Sequence, residues 1–456
     1  MASAALATAM AVAMVARADR PPRADRPLNV LVLVIDDARW DTLGVAGNRT
    51  IQTPRLDQLA AEGVRFDRAF VTTSICMVSR ASILTGEYMS RHGVTTFGSP
   101  VAPDAWRSTY PGVLKAAGYW QGFVGKYGVG TVRPGDFDFV RSYEQTHWFA
   151  EPGGGKVHVT EKNARDALEF LRSRPADRPF ALSVSFFAAH AEDSAPEQYQ
   201  PQEWSAAVYG NRLMPAPMHG AARYFEALPP FLQQPSNEGR VRFGWRFDTP
   251  DRYQDYLRRY YRMVTEVDQV VGRLLDELKA QGVADDTLVV YIGDNGYFQG
   301  DRGLADKWYP YEESIRVPLL VRDPRLPASR RGLVADATAL NIDVAPTVLG
   351  AAGAAIPAQM QGIDLARLYL RDDASAHRAE FFYEHPTVTS RDRIPSSVAV
   401  VRRDWKYVRW PEWDFEQLFD LERDPGELVN LAQDPGHAAR RASLQQQLAA
   451  WQARVR

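Results

Sequence analysis

NVLVLVIDD, residues 29–37, is an aliphatic run that ends in two carboxylates. An apolar stretch of that length with no polar alternation reads as a strand buried on both faces, and so as part of a parallel sheet covered by helices on each side. Asp36 and Asp37 then sit at the C-terminal edge of the strand, where open α/β sheets hold their ligands. TLVVYI, 287–292, repeats the pattern and runs into Gly293-Asp294-Asn295-Gly296. FALSVSFF, 180–187, leads towards His190, Phe123-Val124 lead into Gly125-Lys126, and VPLLV, 317–321, is one more apolar run.

Helical signals fall between these strands. One starts at Thr53-Pro54, PGVLKAAG (111–118) ends on glycine, and an amphipathic stretch runs from Tyr253 to Leu278 ahead of Gly282. The alternation predicts an α/β domain over 28–370, with a mostly parallel central sheet flanked by helices. Residues 191–250 interrupt it with Pro, Gln and aromatic residues and little periodicity, the character of a functional loop insertion. From 375 to 456 the pattern changes to short strands (EFFYEH, SVAVVRR, WKYVRW, EQLFDLE). A helix with Leu444, Leu448, Trp451 and Val455 on one face follows. This predicts a smaller antiparallel subdomain closed by a helix.

The chain has 456 residues, 54 Lys and Arg against 56 Asp and Glu, and a formal net charge of −2, so composition gives no support for nucleic acid or an anionic membrane as partner. Residues 2–16, ASAALATAMAVAMVA, are small and apolar, and Ala16-Arg17-Ala18 offers a cleavage site. Residues 1–18 thus read as a signal peptide for a periplasmic or secreted protein. The n-region carries no Lys or Arg, which leaves open an unstructured alanine-rich leader or a misassigned start. The run is too short to span a membrane.

Asp36, Asp37, Asp294 and Asn295 end two separate strands. Adjacent carboxylates repel unless a cation or a proton intervenes. A set of hard oxygens with no His or Cys suits calcium or magnesium better than zinc. Asp37 as a helix cap and GDNG as a plain turn are the structural alternatives.

TTSICMVSRASILTG, 72–86, holds the one cysteine, Cys76, with Arg80 four residues on. The segment resembles the Cys-x-Pro/Ala-Ser-Arg signature of the formylglycine-dependent (type I) sulfatases, of the alkaline-phosphatase-like superfamily. The resemblance covers nearly the whole folded chain: VLVIDDARWDTLG, TPRLDQLAAEGVRFDRAF, GDNGYFQGDRGLADKWYPYEESIRVPLLV, NIDVAPTVLGAAG, MQGIDL and LFDLERDPGELVNLA occur in the family's order. It implies an alkaline-phosphatase-like fold and hydrolysis of a sulfate ester on a small molecule or saccharide.

Residue by residue, it implies that Asp36, Asp37, Asp294 and Asn295 hold one Ca²⁺, with Mg²⁺ second. A maturation enzyme would convert Cys76 to formylglycine, whose hydrate completes the metal shell. One hydroxyl of the hydrate attacks sulfur and the other later helps to expel sulfate. Arg80 orients the hydrate, Lys126 and Lys307 clamp sulfate oxygens, and His190 gives a proton to the departing alcohol.

Val78 stands at the Pro/Ala position of the signature, in the segment that the maturation enzyme would read, and two further positions depart from the pattern. Gly128 stands where the family has a histidine that contacts formylglycine, with His147 or His158 as possible substitutes. Arg302 stands where histidine is common, and reads either as a contact for a substrate carboxylate or second sulfate or as a surface residue. FFYEHP, 381–386, puts Glu384 and His385 where relatives reach the substrate, and Arg402, Arg403, Trp405 and Lys406 suit a sulfated sugar; cross-strand packing explains them equally well. The rival readings are a phospho- or phosphonate-ester hydrolase on the same fold and a non-catalytic sugar-binding homologue.

Overall fold

The structure, a computed structural model, describes residues 27–96, 98–143 and 146–455, so the proposed leader at 1–18 lies outside the described residues. The large sheet draws on β1 (Asn29–Ile35), β2 (Val64–Phe70), β3 (Trp120–Gly125), β4 (Phe139–Ser142), β5 (Phe180–Ser185), β6 (Thr287–Gly293), β7 (Leu319–Arg322) and β8 (Leu333–Leu340). Its order is β8-β2-β7-β6-β1-β5-β3-β4. β1 pairs parallel with both β5 and β6, while β7 runs antiparallel to β6 and β2. The sheet is therefore mostly parallel, with VPLLV inserted against the grain.

β1 shows why the aliphatic run matters. Val30, Val32 and Val34 enter one core cluster and Leu31, Leu33 and Ile35 the other, so the strand is apolar on both faces because both faces are covered. Truncating Leu31 or Leu33 to alanine belongs to the class of core change that costs about 2–5 kcal/mol.

One layer of helices includes α1 (Pro54–Glu62), α4 (Val159–Ser173) and the 31-residue α6 (Pro250–Ala280). The other includes α2 (Cys76–Thr85), α3 (Tyr110–Ala116) and α7 (Val344–Ala351). α6 extends the expected helix by three residues at its start and two at its end. Pro250 sits in its first turn, where the missing N–H costs nothing, and the Thr249 hydroxyl accepts from Arg252 N–H. Within the 191–250 insertion lies α5 (Glu238–Arg246). β9 (Glu380–His385), β10 (Ser397–Arg402), β11 (Trp405–Trp410) and β12 (Phe415–Asp420) form a separate antiparallel sheet in sequential order. α8 (Ala438–Val455) follows them, with Leu444, Leu448, Trp451 and Val455 buried. No helix among the described residues is long and apolar enough to cross a membrane.

α6 also carries a buried acid with a measurable consequence. Asp268 is fully buried and its Oδ1 accepts from Leu56 N–H at 2.7 Å. Burial raises its pKa to about 7, against the pull of the Leu56 N–H. Between about pH 4 and pH 7 the folded chain keeps a proton that the unfolded chain has lost, so this group's contribution falls as pH rises through that window. Asp268→Asn retains the carbonyl acceptor and removes the titration. The variant should lose less Tm between pH 5 and pH 8 than the parent; parallel Tm–pH curves would show that Asp268 is ionised throughout.

Candidate active site

Asp36 and Asp37 follow the end of β1, and Asp294 and Asn295 follow the end of β6, its parallel neighbour. All four are fully buried. Asp37 adopts a positive φ of 52°. It is held there by its N–H, which donates to Asp294 Oδ1 at 3.2 Å, and by its carbonyl, which accepts from the Tyr260 hydroxyl of α6 at 2.6 Å.

Cys76 is the first residue of α2, after extended Ile75, so the partial positive charge of the helix N-terminus lies at the cysteine. Arg80 follows one turn later on the same face. Its Nε donates to Asp294 at 2.8 Å, Nη2 to Asp36 at 3.1 Å, and Nη1 to the Lys126 carbonyl at 2.7 Å and to the Ser185 hydroxyl. One guanidinium thus ties together the C-terminal ends of β6, β1, β3 and β5. Lys126 Nζ pairs with Asp36, Lys307 Nζ pairs with Asp37, and Asn295 Nδ2 donates to Asp37 Oδ1 at 2.6 Å.

Burial disfavours charge throughout this cluster, and the fixed cations decide which groups resist it. Asp36 would be raised by burial, but Lys126 and then Arg80 hold it far below the usual carboxylate range. Asp37 and Asp294 are raised, by burial first, with Asp36 adding to each. Burial also pushes up the Cys76 thiol, against Lys126 and Lys307, so the unmodified side chain is held as a neutral thiol. His190 is pulled down to about 3 by burial, with Lys307 and Lys126 adding to the drop. Its Nδ1 lies 2.6 Å from the Ala191 carbonyl, which makes Nδ1 the protonated nitrogen, and its Nε2 is 3.7 Å from Asp37 Oδ2.

A divalent cation fits this donor set. Asp36 Oδ1, Asp37 Oδ2 and Asn295 Oδ1 are buried and have no hydrogen-bond partner among the described residues. Buried oxygens are not left unpaired without cause, and three of them at the ends of two adjacent strands suit a divalent cation as partner. Asp36, Asp37 and His190 each bring a ligand atom within 4.8 Å of the others.

Cys76, His190, Lys307 and Trp308 line a cavity of about 270 Å³. Its remaining walls were not foreseen in the sequence. Asp193, Glu238 and Arg242 come from the 191–250 insertion, Asp306 precedes Lys307, and Val388, Thr389, Arg393 and Ile394 come from the connection between β9 and β10. The insertion and the small subdomain both reach the cysteine, but with residues that no motif marks.

Five other residues singled out in the sequence do not line the Cys76 cavity and have partners elsewhere. Arg302 is buried, and its guanidinium is spent on Glu313 at 3.0 Å and on the Gly426 carbonyl at 2.8 Å, tying the C-terminal segment to the main body. Glu384 accepts from Ser90 N–H at 2.7 Å, and His385 directs Nδ1 to the Pro386 carbonyl at 2.7 Å; neither lines the Cys76 cavity. His158 caps α4 through Thr160 N–H, and His147 meets the His190 carbonyl at 3.0 Å, so both brace neighbouring backbone and do not stand in for the missing histidine. Gly128 has a positive φ of 73°, and a Cβ there would meet Arg80 Cδ at 2.9 Å. The absent side chain is therefore built into the fit of Arg80. Val78 is fully buried in the apolar core.

A family model described as Sulfatase matches residues 28–354, and one described as N-sulphoglucosamine sulphohydrolase, C-terminal, matches 300–454. The N-acetylglucosamine-6-O-sulfatase of Bacteroides thetaiotaomicron is 26% identical over 92% of this chain and 85% of its own. A solved structure of a protein in complex with its substrate, D-glucosamine-2-N,6-O-disulfate, superposes with a TM-score of 0.80 at 24% identity, covering 94% of this chain and 98% of the other. The phosphonate monoester hydrolase of Agrobacterium radiobacter shares the fold, with a TM-score of 0.79 at 22% identity over 94% of this chain and 96% of the other. With its ordered motifs, its paired strand-end carboxylates and a family model over most of its length, the chain belongs to the sulfatase family and is a sulfuric ester hydrolase.

Proposed function

We propose that this chain removes sulfate from a saccharide ester, with Cys76 converted to formylglycine and one Ca²⁺ held by Asp36, Asp37, Asp294 and Asn295. The three partnerless buried oxygens of Asp36, Asp37 and Asn295, in a cluster whose charges act on Cys76, carry the reading. The hydrated aldehyde would supply the attacking hydroxyl, and the ion would supply positive charge for the sulfate oxygens. Asp36, Asp37 and Asp294 are matched by Arg80, Lys126 and Lys307, so a bound divalent ion leaves a net positive site that an anionic ester neutralises. Lys126 and Lys307, which lie beside these carboxylates, would hold sulfate oxygens. His190 has Nε2 for the leaving oxygen; burial keeps it neutral in the free enzyme, and the negative charge of the ester favours the protonated form that donates.

The saccharide assignment rests on the cavity walls and on what the relatives act on. Arg242 is paired with Asp193 and with Glu238 at 2.7 Å, and Arg393 with Glu238. The wall is thus charge-balanced and rich in donors and acceptors, which suits the hydroxyls of a sugar ring. A shared fold favours the phosphonate-ester alternative as the second reading. Matched aryl sulfate and phenylphosphonate esters separate the two: kcat/KM should favour sulfate by at least about 100-fold, roughly 2.7 kcal/mol of transition-state binding. A preference for the phosphonate would reverse the assignment.

A further inference from the structure

A second cleft of about 370 Å³ opens where the large sheet meets the C-terminal subdomain. Arg68 of β2, Arg316 and Arg403 line it, with Trp40 and Gly426, and it shares no residue with the Cys76 cavity. Glu312, the carboxylate in its wall, is already engaged by Lys406 at 3.4 Å and by Arg316 at 3.8 Å. Arg316 also donates through Nε to the Asp67 carbonyl at 2.9 Å and lies 5.0 Å over the Trp40 ring, which fixes its position. Arg403 is paired with Asp336 at 2.5 Å on the exposed rim.

Arg68 differs from both. It is half-buried, its contact is with the face of Phe70 at 5.5 Å, and among the described residues no carboxylate lies within 4.0 Å of its guanidinium. Burial holds its pKa below the ordinary arginine value; Glu312 opposes the shift, and Arg316 and Arg403 add to it. Arg68 shares this neighbourhood with the cations Arg316 and Arg403 and the carboxylates Glu312 and Asp336, but the flanking arginines are the ones paired with those carboxylates. Here the cleft is open for a counter-ion to come from outside. The planar guanidinium fork matches two oxygens of a tetrahedral oxyanion, and clefts between subdomains are common ligand sites.

We propose that this cleft is a second oxyanion site, which takes a sulfate group on Arg68 with Arg316 and Arg403 at its flanks. The sulfate is either one carried by a saccharide or the free ion. Binding here does not depend on turnover, so the site stands or falls separately from the catalytic reading.

Selenate, isosteric with sulfate and visible by anomalous scattering, is the first probe. Crystals of the parent should show it against Arg68, and crystals of Arg68→Ala should lack it there. Equilibrium dialysis with radiolabelled sulfate at low ionic strength should find one equivalent fewer in Arg68→Ala, and also in Arg68→Gln should the alanine variant fold poorly. No selenate at Arg68 in the parent, or equal stoichiometry in parent and variants (an adventitious ion only), overturns the proposal. Kinetics identify the source of the sulfate. A roughly fivefold or larger rise in KM for a multiply sulfated oligosaccharide, with kcat and the aryl ester unchanged, assigns the site to the substrate chain. Unchanged KM with weaker inhibition by inorganic sulfate assigns it to the free ion.

Discussion

Cys76→Ala should reduce sulfate-ester turnover to background, a loss of at least about 10⁴-fold in kcat/KM, with the fold unchanged. The size of the effect follows from the nucleophile's place in the mechanism, since without it only binding remains. The stability side follows from packing. Cys76 is 4% exposed, and no hydrogen bond to its Sγ is found among the described residues, so truncation removes one buried atom and costs on the order of 1 kcal/mol. Cys76→Ser should be equally inactive when made in a host that converts only cysteine. Burial also raises the pKa of the unmodified thiol, which disfavours the thiolate as attacking group. Stopped assays on purified variants, with Tm measured alongside, decide it. Either variant retaining turnover within tenfold of the parent removes formylglycine from the mechanism.

Removal of the divalent ion should have an effect of similar size. Exhaustive chelation should abolish turnover and lower Tm, and Ca²⁺ should restore both. At a ligand concentration 100 times Kd the linkage amounts to about 2.7 kcal/mol. Asp37→Asn keeps the shape of the side chain and an oxygen that can accept from Lys307 and Asn295, but removes the charge. Calcium content by elemental analysis should fall below stoichiometric, Ca²⁺ affinity by calorimetry should weaken by at least about 100-fold, and turnover should fall by about 10³-fold. Calorimetry reads the site without catalysis, so a fault in metal binding is separable from a fault in chemistry. Full activity in chelator, or calcium affinity unchanged in Asp37→Asn, would dismiss the ion assignment.

Where the chain's chemistry depends on strand ends, it was legible in the sequence. An aliphatic run that stops at Asp36-Asp37, and another that stops at Asp294-Asn295, place side chains at a sheet edge by periodicity alone, and the fold brings them together because β1 and β6 are neighbours. Arg80 was singled out by the sulfatase-like signature, and four residues along a helix return it to the same face as Cys76. The cavity wall was not. Asp193, Arg242 and Arg393 reach the Cys76 cavity through an insertion and a subdomain connection whose paths depend on long-range packing. Arg302, Glu384 and His385 lie close in sequence to the proposed site segments, but their side chains are engaged by Glu313, Ser90 and Pro386, pairings that the sequence does not display. The antiparallel insertion of β7 was equally hidden, since a short apolar run carries no direction.

The setting of α2 has a consequence for the order of events in the life of the molecule. All ten residues from Cys76 to Thr85 are buried. A small ester can reach the cysteine through the cavity, but another enzyme that must grip the chain on both sides of it cannot. Any such enzyme meets Cys76 only while the segment is still a strip of loose polypeptide. On the proposed conversion of Cys76, the reacting group would therefore be set before the fold closes, while this segment is still reachable from both sides.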